Sequence, residues 1–265
     1  MKNEKIRIDA LLVERGLAEN LEHARALLMS GSVSVDGKRI DKAGQQVSAD
    51  ADLEVRGSRE FVSRGGRKLA KALEYFEVSV SGIVCIDCGA STGGFTDCLL
   101  KNGARLVYSV DVGYGQLDWR LRNDPKVVPM ERTNIRYMTA DMLEFKPELA
   151  VIDVSFISLA LVLPVVRGLL TEDGQALCLI KPQFEADRDS VGAKGVVSDP
   201  QTHMSVLSSF LRYCAKSGFY CKGITFSPIK GPEGNIEYLG RLCCQGENDT
   251  VDVEAVVRDS HAYFL

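Results

Sequence analysis

Residues 83–96 read Ile-Val-Cys-Ile-Asp-Cys-Gly-Ala-Ser-Thr-Gly-Gly-Phe-Thr, an apolar run that stops at a cluster of glycines. Ile83 to Asp87 is short and β-branched, which predicts a buried strand. Gly89, Gly93 and Gly94 predict a tight turn, and helical spacing resumes from Asp97 to Asn102. Strand, glycine turn and helix in that order bring backbone N–H groups close to a ligand seated over the turn. Ser91 stands where a dinucleotide fingerprint would place its second glycine. Taken alone, such a turn is also compatible with a strand-to-helix connection that holds no ligand.

The next strand narrows the choice. Leu106 to Val110 is followed by Asp111, 22 residues after Gly89. A carboxylate there can accept hydrogen bonds from both ribose hydroxyls of a nucleoside cofactor. Asp87, Gly89 and Asp111 together resemble the S-adenosylmethionine (SAM) site of a Rossmann-like methyltransferase. The resemblance implies that Gly89, Ser91, Gly93 and Gly94 contact the amino-acid end of SAM beside Asp87. It places Phe95 against them and Asn134, in Glu131-Arg-Thr-Asn134, on the adenine side. A pyrophosphate loop for NAD and a G-x-x-x-x-G-K-[ST] for a nucleoside triphosphate are both missing from the sequence.

Further strands are predicted at Val127 to Met130, Leu149 to Ile152, Ala176 to Ile180, Tyr220 to Phe226 and Ile236 to Leu242. Helices are predicted at Leu159 to Leu170 and about Gln201 to Ser217. Strands alternating with helices imply a mostly parallel sheet covered on both faces. The last two strands, joined by Lys230-Gly-Pro-Glu-Gly-Asn235, read as an antiparallel hairpin. The expected fold class is α/β: a Rossmann-like methyltransferase with a seven-stranded, mostly parallel sheet.

Ligands of open α/β sheets collect beyond the carboxyl ends of the strands. Asp153 and Lys181 follow the fourth and fifth strands, Glu237 opens the last, and Lys68 lies on a helix before the first. Each alone could be a surface charge or an ordinary salt bridge. As an ordered set they resemble the Lys-Asp-Lys-Glu tetrad of ribose 2′-O-methyltransferases. Over nearly the whole chain the sequence resembles the TlyA family of ribosomal RNA methyltransferases, also labelled haemolysin-like, with an S4 domain and an FtsJ-like methyltransferase domain.

The resemblance implies methyl transfer from SAM to a ribose 2′-hydroxyl of ribosomal RNA, on cytidine in 16S RNA, 23S RNA or both. Its catalytic residues would be Lys68, Asp153, Lys181 and Glu237, with no metal. A ribose hydroxyl must lose its proton to attack, and two neighbouring ammonium groups disfavour each other's charge, which opens a lysine to base catalysis. Lys181 is the expected base, Asp153 and Lys68 orient it and the hydroxyl, and Glu237 positions the lysines and the substrate. Other methyltransferase chemistries fit less well. Asp153-Val-Ser-Phe156 stands where a base-amino enzyme carries [DN]-P-P-[FYW], and the Pro-Cys context of a pyrimidine C5 enzyme is missing.

The first sixty residues read as helix, helix, small hairpin. Ile8, Leu11 and Leu12 mark the first helix, ending at Gly16. Asn20 caps the second, and Asp36-Gly37 turns the hairpin. The run from His23 to Ile40 resembles the S4 RNA-binding domain, a small α+β module, which implies Arg7, Arg25, Lys38, Arg39 and Lys42 as RNA contacts. Arg64 and Arg67, beside Lys68, extend that basic surface. A small packing or dimerisation module is the alternative for this segment. The domain boundaries expected are 1–57 for the S4-like domain, 58–66 for a glycine- and arginine-rich linker, and 67–265 for the methyltransferase domain.

Composition sets outer limits. The 265 residues carry a net charge of −4, so nucleic-acid affinity must come from local basic clusters rather than global charge. Charged residues through the first twenty positions leave no apolar signal segment, and Asp153, Pro164 and Arg167 interrupt the most apolar stretch. A cytoplasmic location without membrane partners is expected. Eight cysteines lack the paired spacing of a zinc site, and Cys85 and Cys88 fall on opposite faces of one strand. Reduced buried thiols are expected. Two rival functions are a haemolysin-like membrane-active protein and an RNA-binding ribosome assembly factor without catalysis.

Overall fold

The structure, a computed structural model, describes residues 5–15, 17–18, 20–55 and 60–265. The helix stop at Gly16 and linker residues 56–59 lie outside the described residues. Contacts divide the chain into two units, 1–60 and 61–265.

In the first unit, β1 (Lys5–Arg7) leads into α1 (Ile8–Glu14) and α2 (Leu21–Met29), followed by β2 (Val33–Val35) and β3 (Lys38–Ile40). Two further short strands, β4 (Gln46–Ser48) and β5 (Leu53–Val55), complete it. Asn20 caps α2 by accepting from the His23 N–H at 2.9 Å. The β2–β3 hairpin turns through Asp36 and Gly37, both with positive φ, the backbone that a two-residue turn between right-twisted strands requires. Ile8, Leu12, Ala24, Leu28 and Val33 close a small core between the helices and the β3-β2-β5 sheet. The pairing of β1 with β4 carries too short an apolar signal to be read from sequence.

The second unit begins earlier than the sequence suggests. Phe61 is buried among Leu69, Leu73 and Phe95, and α3 (Gly65–Tyr75) starts inside the segment assigned to the linker. Burial of that aromatic ring ties residues 61–66 to the larger unit.

After α3 come β6 (Val84–Cys88), α4 (Gly94–Lys101), β7 (Leu106–Val110), α5 (Trp119–Arg122), β8 (Val127–Met130) and β9 (Leu149–Ile152). The chain continues through α6 (Leu159–Leu169), β10 (Gln175–Ile180), α7 (Pro182–Glu185), α8 (Pro200–Lys216), β11 (Tyr220–Phe226), β12 (Tyr238–Cys243) and α9 (Val253–Tyr263). The sheet order is β11-β12-β10-β9-β6-β7-β8, with β12 reversed against its neighbours. One face packs on α6, α8 and α9 through Val162, Val166, Leu207, Phe210 and Val257; the other packs on α3 and α4 through Leu69, Leu73, Cys98 and Leu99. Cys85 and Cys88 fall in these two opposite layers, and all eight cysteines are free thiols.

Chain order places the site. The chain runs outward from β6 through β7 to β8, then returns to lay β9 on the other side of β6. The carboxyl ends of β6 and β9 therefore flank the switch point where ligands of such sheets bind. Cys88 pairs with Ile152, so Gly89 and Asp153 emerge side by side. Ile180 pairs with Tyr238, and one further step of that antiparallel register sets Lys181 beside Glu237.

Candidate active site

Four elements deliver the four polar residues. Lys68 comes from the second turn of α3, which packs against α4 and β12. Asp153 follows β9, Lys181 follows β10, and Glu237 stands one residue before β12 rather than inside it. Lys68 and Glu237 are buried, at 7% and 1% exposure, and their side chains form a direct ion pair. Lys181 Nζ lies 2.6 Å from Asp153 Oδ1 and donates to Ser155 Oγ at 2.9 Å. Asp153 Oδ1 accepts no aligned hydrogen bond, so that contact is Coulombic.

The tetrad is thus two crossed-over pairs, Lys68 with Glu237 and Lys181 with Asp153. The sequence reading set Asp153 and Lys68 on Lys181; the structure gives Lys68 to Glu237 instead. Burial raises the Glu237 carboxyl above the usual range, against the pull of Lys68 and Lys181. The same electrostatics place all four charges within reach of Glu237, since Asp153 also acts on it.

Beside the tetrad lies a cavity of about 220 Å³ lined by the glycine turn (Gly89 to Thr92, Gly94, Phe95), by Ser63, Arg64 and Gly65, and by Lys68, Asp153 and Pro232. Gly89, Ser91 and Gly93 all take positive φ, folding the turn back so that α4 starts at Gly94, three residues before the predicted start. A Cβ at Gly89 would sit 2.5 Å from the Asp153 carbonyl oxygen. Only glycine allows β6 and β9 to end this close together.

Asp111 braces the turn: its Oδ2 accepts from Ser91 N–H at 2.8 Å and its Oδ1 from Gly113 N–H at 2.7 Å. Each oxygen keeps a second lone pair for a ribose hydroxyl. Asn134 is half-buried and caps a short 3-10 turn at Ile135–Tyr137 by accepting from Arg136 N–H at 3.1 Å.

Of the expected cofactor contacts, Gly89, Ser91, Gly94 and Phe95 line the cavity, whereas Asp87, Gly93, Asp111 and Asn134 do not. Gly93 does not line the cavity: a Cβ there would meet Leu121 Cδ1 at 2.3 Å and Leu117 Cδ1 at 2.8 Å, so its glycine serves turn packing. Asp87 is fully buried beneath the turn, where Thr96 Oγ1 donates to its Oδ2 at 2.7 Å. Burial pushes its carboxyl up to about 7, and its Oδ1 has no hydrogen-bond partner. A backbone-lined glycine cradle with the Asp153 carboxylate at its wall fits a ligand with an ammonium group and a carboxylate. SAM has that amino-acid end.

Several residues of the site carried no signal in sequence. Ser155 fixes the Lys181 amine, Ser63 and Pro232 wall the cavity, and Phe156, three residues after Asp153, stands 90% exposed with φ 63. Phe156 stacks obliquely on Phe184 at 5.0 Å. Only the four-residue comparison at Asp153 to Phe156 could have drawn attention to it. An exposed aromatic ring in a left-handed backbone is a costly arrangement of the kind concentrated at binding sites.

In the smaller unit, buried Asp9 gathers two of the candidate RNA contacts. Arg7 donates to Asp9 Oδ1 at 3.0 Å and to Oδ2 at 2.7 Å, and Arg25 Nε lies 3.6 Å from Oδ2. Both guanidinium groups remain half exposed, and Lys38, Arg39 and Lys42 are exposed on and beside β3. Arg64 and Arg67 are exposed, and Arg64 borders the cavity.

Comparison with known proteins identifies the families of the two units. The family described as FtsJ-like methyltransferase matches residues 61–242, and the S4 domain family matches residues 6–53. The chain is 51% identical to YqxC of Bacillus subtilis, provisionally named an rRNA methyltransferase, over 98% of this chain and 96% of that protein. It is 46% identical to the 16S/23S rRNA (cytidine-2′-O)-methyltransferase TlyA of Mycobacterium tuberculosis, over 89% of this chain and 88% of the relative. A solved structure from Streptococcus thermophilus, named for a hemolysin, superposes with a TM-score of 0.76 at 44% identity, covering 99% and 98% of the two chains. Among the described residues no helix is long and apolar enough to cross a membrane.

Proposed function

The chain belongs to the FtsJ-like methyltransferase family with an S4 domain ahead of the catalytic unit, and on that premise we propose that it methylates a ribose 2′-hydroxyl of ribosomal RNA. The observation that carries the reading is the convergence of Lys68, Asp153, Lys181 and Glu237 beside a glycine-turn cavity. By likeness to its relative in M. tuberculosis, cytidine in 16S or 23S RNA is the proposed substrate.

SAM supplies an electrophilic methyl group on a sulfonium, so the protein must supply orientation and proton removal. Gly89, Ser91 and Gly94, which line the cavity with Asp153, would cradle its amino-acid end, and Asp111, bonded to the Ser91 N–H, would take the ribose. Lys181 accepts the proton of the ribose hydroxyl. Asp153 at 2.6 Å then stabilises the ammonium that forms, and Ser155 keeps the amine aimed. Lys68, held by Glu237, adds a fixed positive charge at the cavity wall, where it stabilises the developing alkoxide. Phe156 presents a ring face on which the target base stacks. The S4 unit supplies RNA affinity through Arg7, Arg25, Lys38, Arg39 and Lys42, with Arg64 and Arg67 near the cavity.

Transfer of label from methyl-labelled SAM into ribosomal RNA, with mapping of 2′-O positions, tests the proposal. Ribose methylation that disappears in Lys181→Ala supports it. Label appearing on a base, or in no RNA, refutes it.

A further inference from the structure

Glu237 acts through a side chain that faces α3, yet its position is set from the opposite side of the sheet. Its neighbour Tyr238 has no exposed surface and points to the other face, as successive strand residues must. There the Tyr238 hydroxyl lies 2.7 Å from His203 Nδ1 and 3.0 Å from Ser260 Oγ. His203, on α8, is fully buried and its Nε2 is 3.0 Å from the Val197 carbonyl oxygen. A carbonyl only accepts, so Nε2 carries the proton and Nδ1 is left to accept from Tyr238. Burial holds the imidazole neutral by lowering its proton affinity.

Val197 is also bound from its other end. Asn235, two residues before Glu237 and 1% exposed, accepts from Val197 N–H at 2.9 Å and donates to the Gly195 carbonyl at 2.9 Å. The closed loop of contacts therefore runs Asn235, Val197, His203, Tyr238, and encloses Glu237 between its first and last members. Ser227 N–H adds a bond to the Glu237 carbonyl at 2.8 Å. Apart from the half-buried Gly195 carbonyl these groups are buried and bonded, and such networks hold one geometry because any alternative leaves a buried group unpaired.

We propose that Asn235, His203 and Tyr238 are positioning residues that fix the Glu237 carboxylate against Lys68 and so set the rate of methyl transfer. None of the three lines the cavity. Tyr238 also pairs with Ile180, next to Lys181, so the Glu237→Gln background below separates an effect carried by Glu237 from one carried by Lys181. The inference rests on the methyltransferase reading above, with Lys68 and Glu237 in its machinery.

The test is a double-mutant cycle on the full chain, in single-turnover methylation of ribosomal RNA at saturating SAM. Tyr238→Phe removes the hydroxyl and keeps the ring; His203→Gln is the second perturbation, and calorimetry gives the SAM Kd of each. The expected result for each is a rate lower by roughly tenfold, the scale of a small misplacement of a catalytic group, with SAM Kd changed less than about twofold. In a Glu237→Gln background the same changes should lower the rate by less than about twofold, because the carboxylate they position is gone. A purely structural role predicts equal fold-losses in both backgrounds. Equal losses, an unchanged rate in either single variant, or loss of SAM binding would overturn the inference. Absence of methylation by the unaltered protein would instead refute the reading on which it rests.

Discussion

Glu237→Ala should cost more in stability than in any surface pair of the molecule, and the size follows from burial. Lys68 and Glu237 are 7% and 1% exposed, so removal of the carboxylate leaves an ammonium group in the interior. Breaking such a pair costs about 3–5 kcal/mol. For a catalytic unit of this size that lowers the melting temperature by roughly 6–20 °C. Lys68→Met should cost a comparable amount, because it strands the carboxylate. The double variant Lys68→Met with Glu237→Leu replaces the pair by apolar groups and should lie within about 1–2 kcal/mol of wild type. Urea unfolding of the four proteins measures the coupling directly. All three variants should methylate far more slowly than wild type, which separates fold from chemistry in the double variant. If the two single costs simply add and the double variant is the least stable, the buried pair does not hold the site as argued.

Further outcomes follow from the other side chains. Lys181→Ala should lower the single-turnover rate by about 10²–10⁴-fold while SAM binding by calorimetry is unchanged, since Lys181 does not line the cavity. The Asp87 carboxyl, raised from 3.8 to about 7, gives a stability contribution that is present below about pH 4 and lost as pH rises through about 7. Asp87→Asn should flatten that profile in urea unfolding followed against pH. Asp111→Ala should weaken SAM binding and loosen the turn at Ser91, whereas Gly93→Val should unfold the turn by collision with Leu121 and Leu117, visible as a lower melting temperature without SAM. Replacement of Arg25, Lys38 and Arg39 by Gln should weaken RNA binding and flatten its salt dependence by about 0.7–0.9 per lost phosphate contact.

How much of this was open to a reader of the chain alone differs from element to element. The alternation of apolar runs and the glycine turn established a mostly parallel sheet, because strand and helix periodicity are local properties of the sequence. The S4-like unit was legible for the same reason, through the Asn20 cap and the Asp36-Gly37 turn. Element ends were less so. The start of α4 moved to Gly94 because three positive-φ residues compress the preceding turn, and residues 61–66 joined the catalytic unit because Phe61 finds a buried partner in Leu69. Neither packing contact has a signature in local spacing.

Local sequence was enough to mark candidates for the chemistry: two lysines and two carboxylates at the ends of predicted elements, with an acid after the second strand. It could not determine their partners, because Lys68 and Glu237 are separated by most of the catalytic unit and meet only where α3 crosses β12. The pairing of Lys181 with Asp153, the withdrawal of Asp87 and Gly93 from the cavity wall, and the network behind Tyr238 were decided by register and by side-chain burial. Those are properties of the folded sheet. A one-residue step in the β10–β12 register would turn Glu237 to the opposite face, and no feature of its own sequence neighbourhood would record the change.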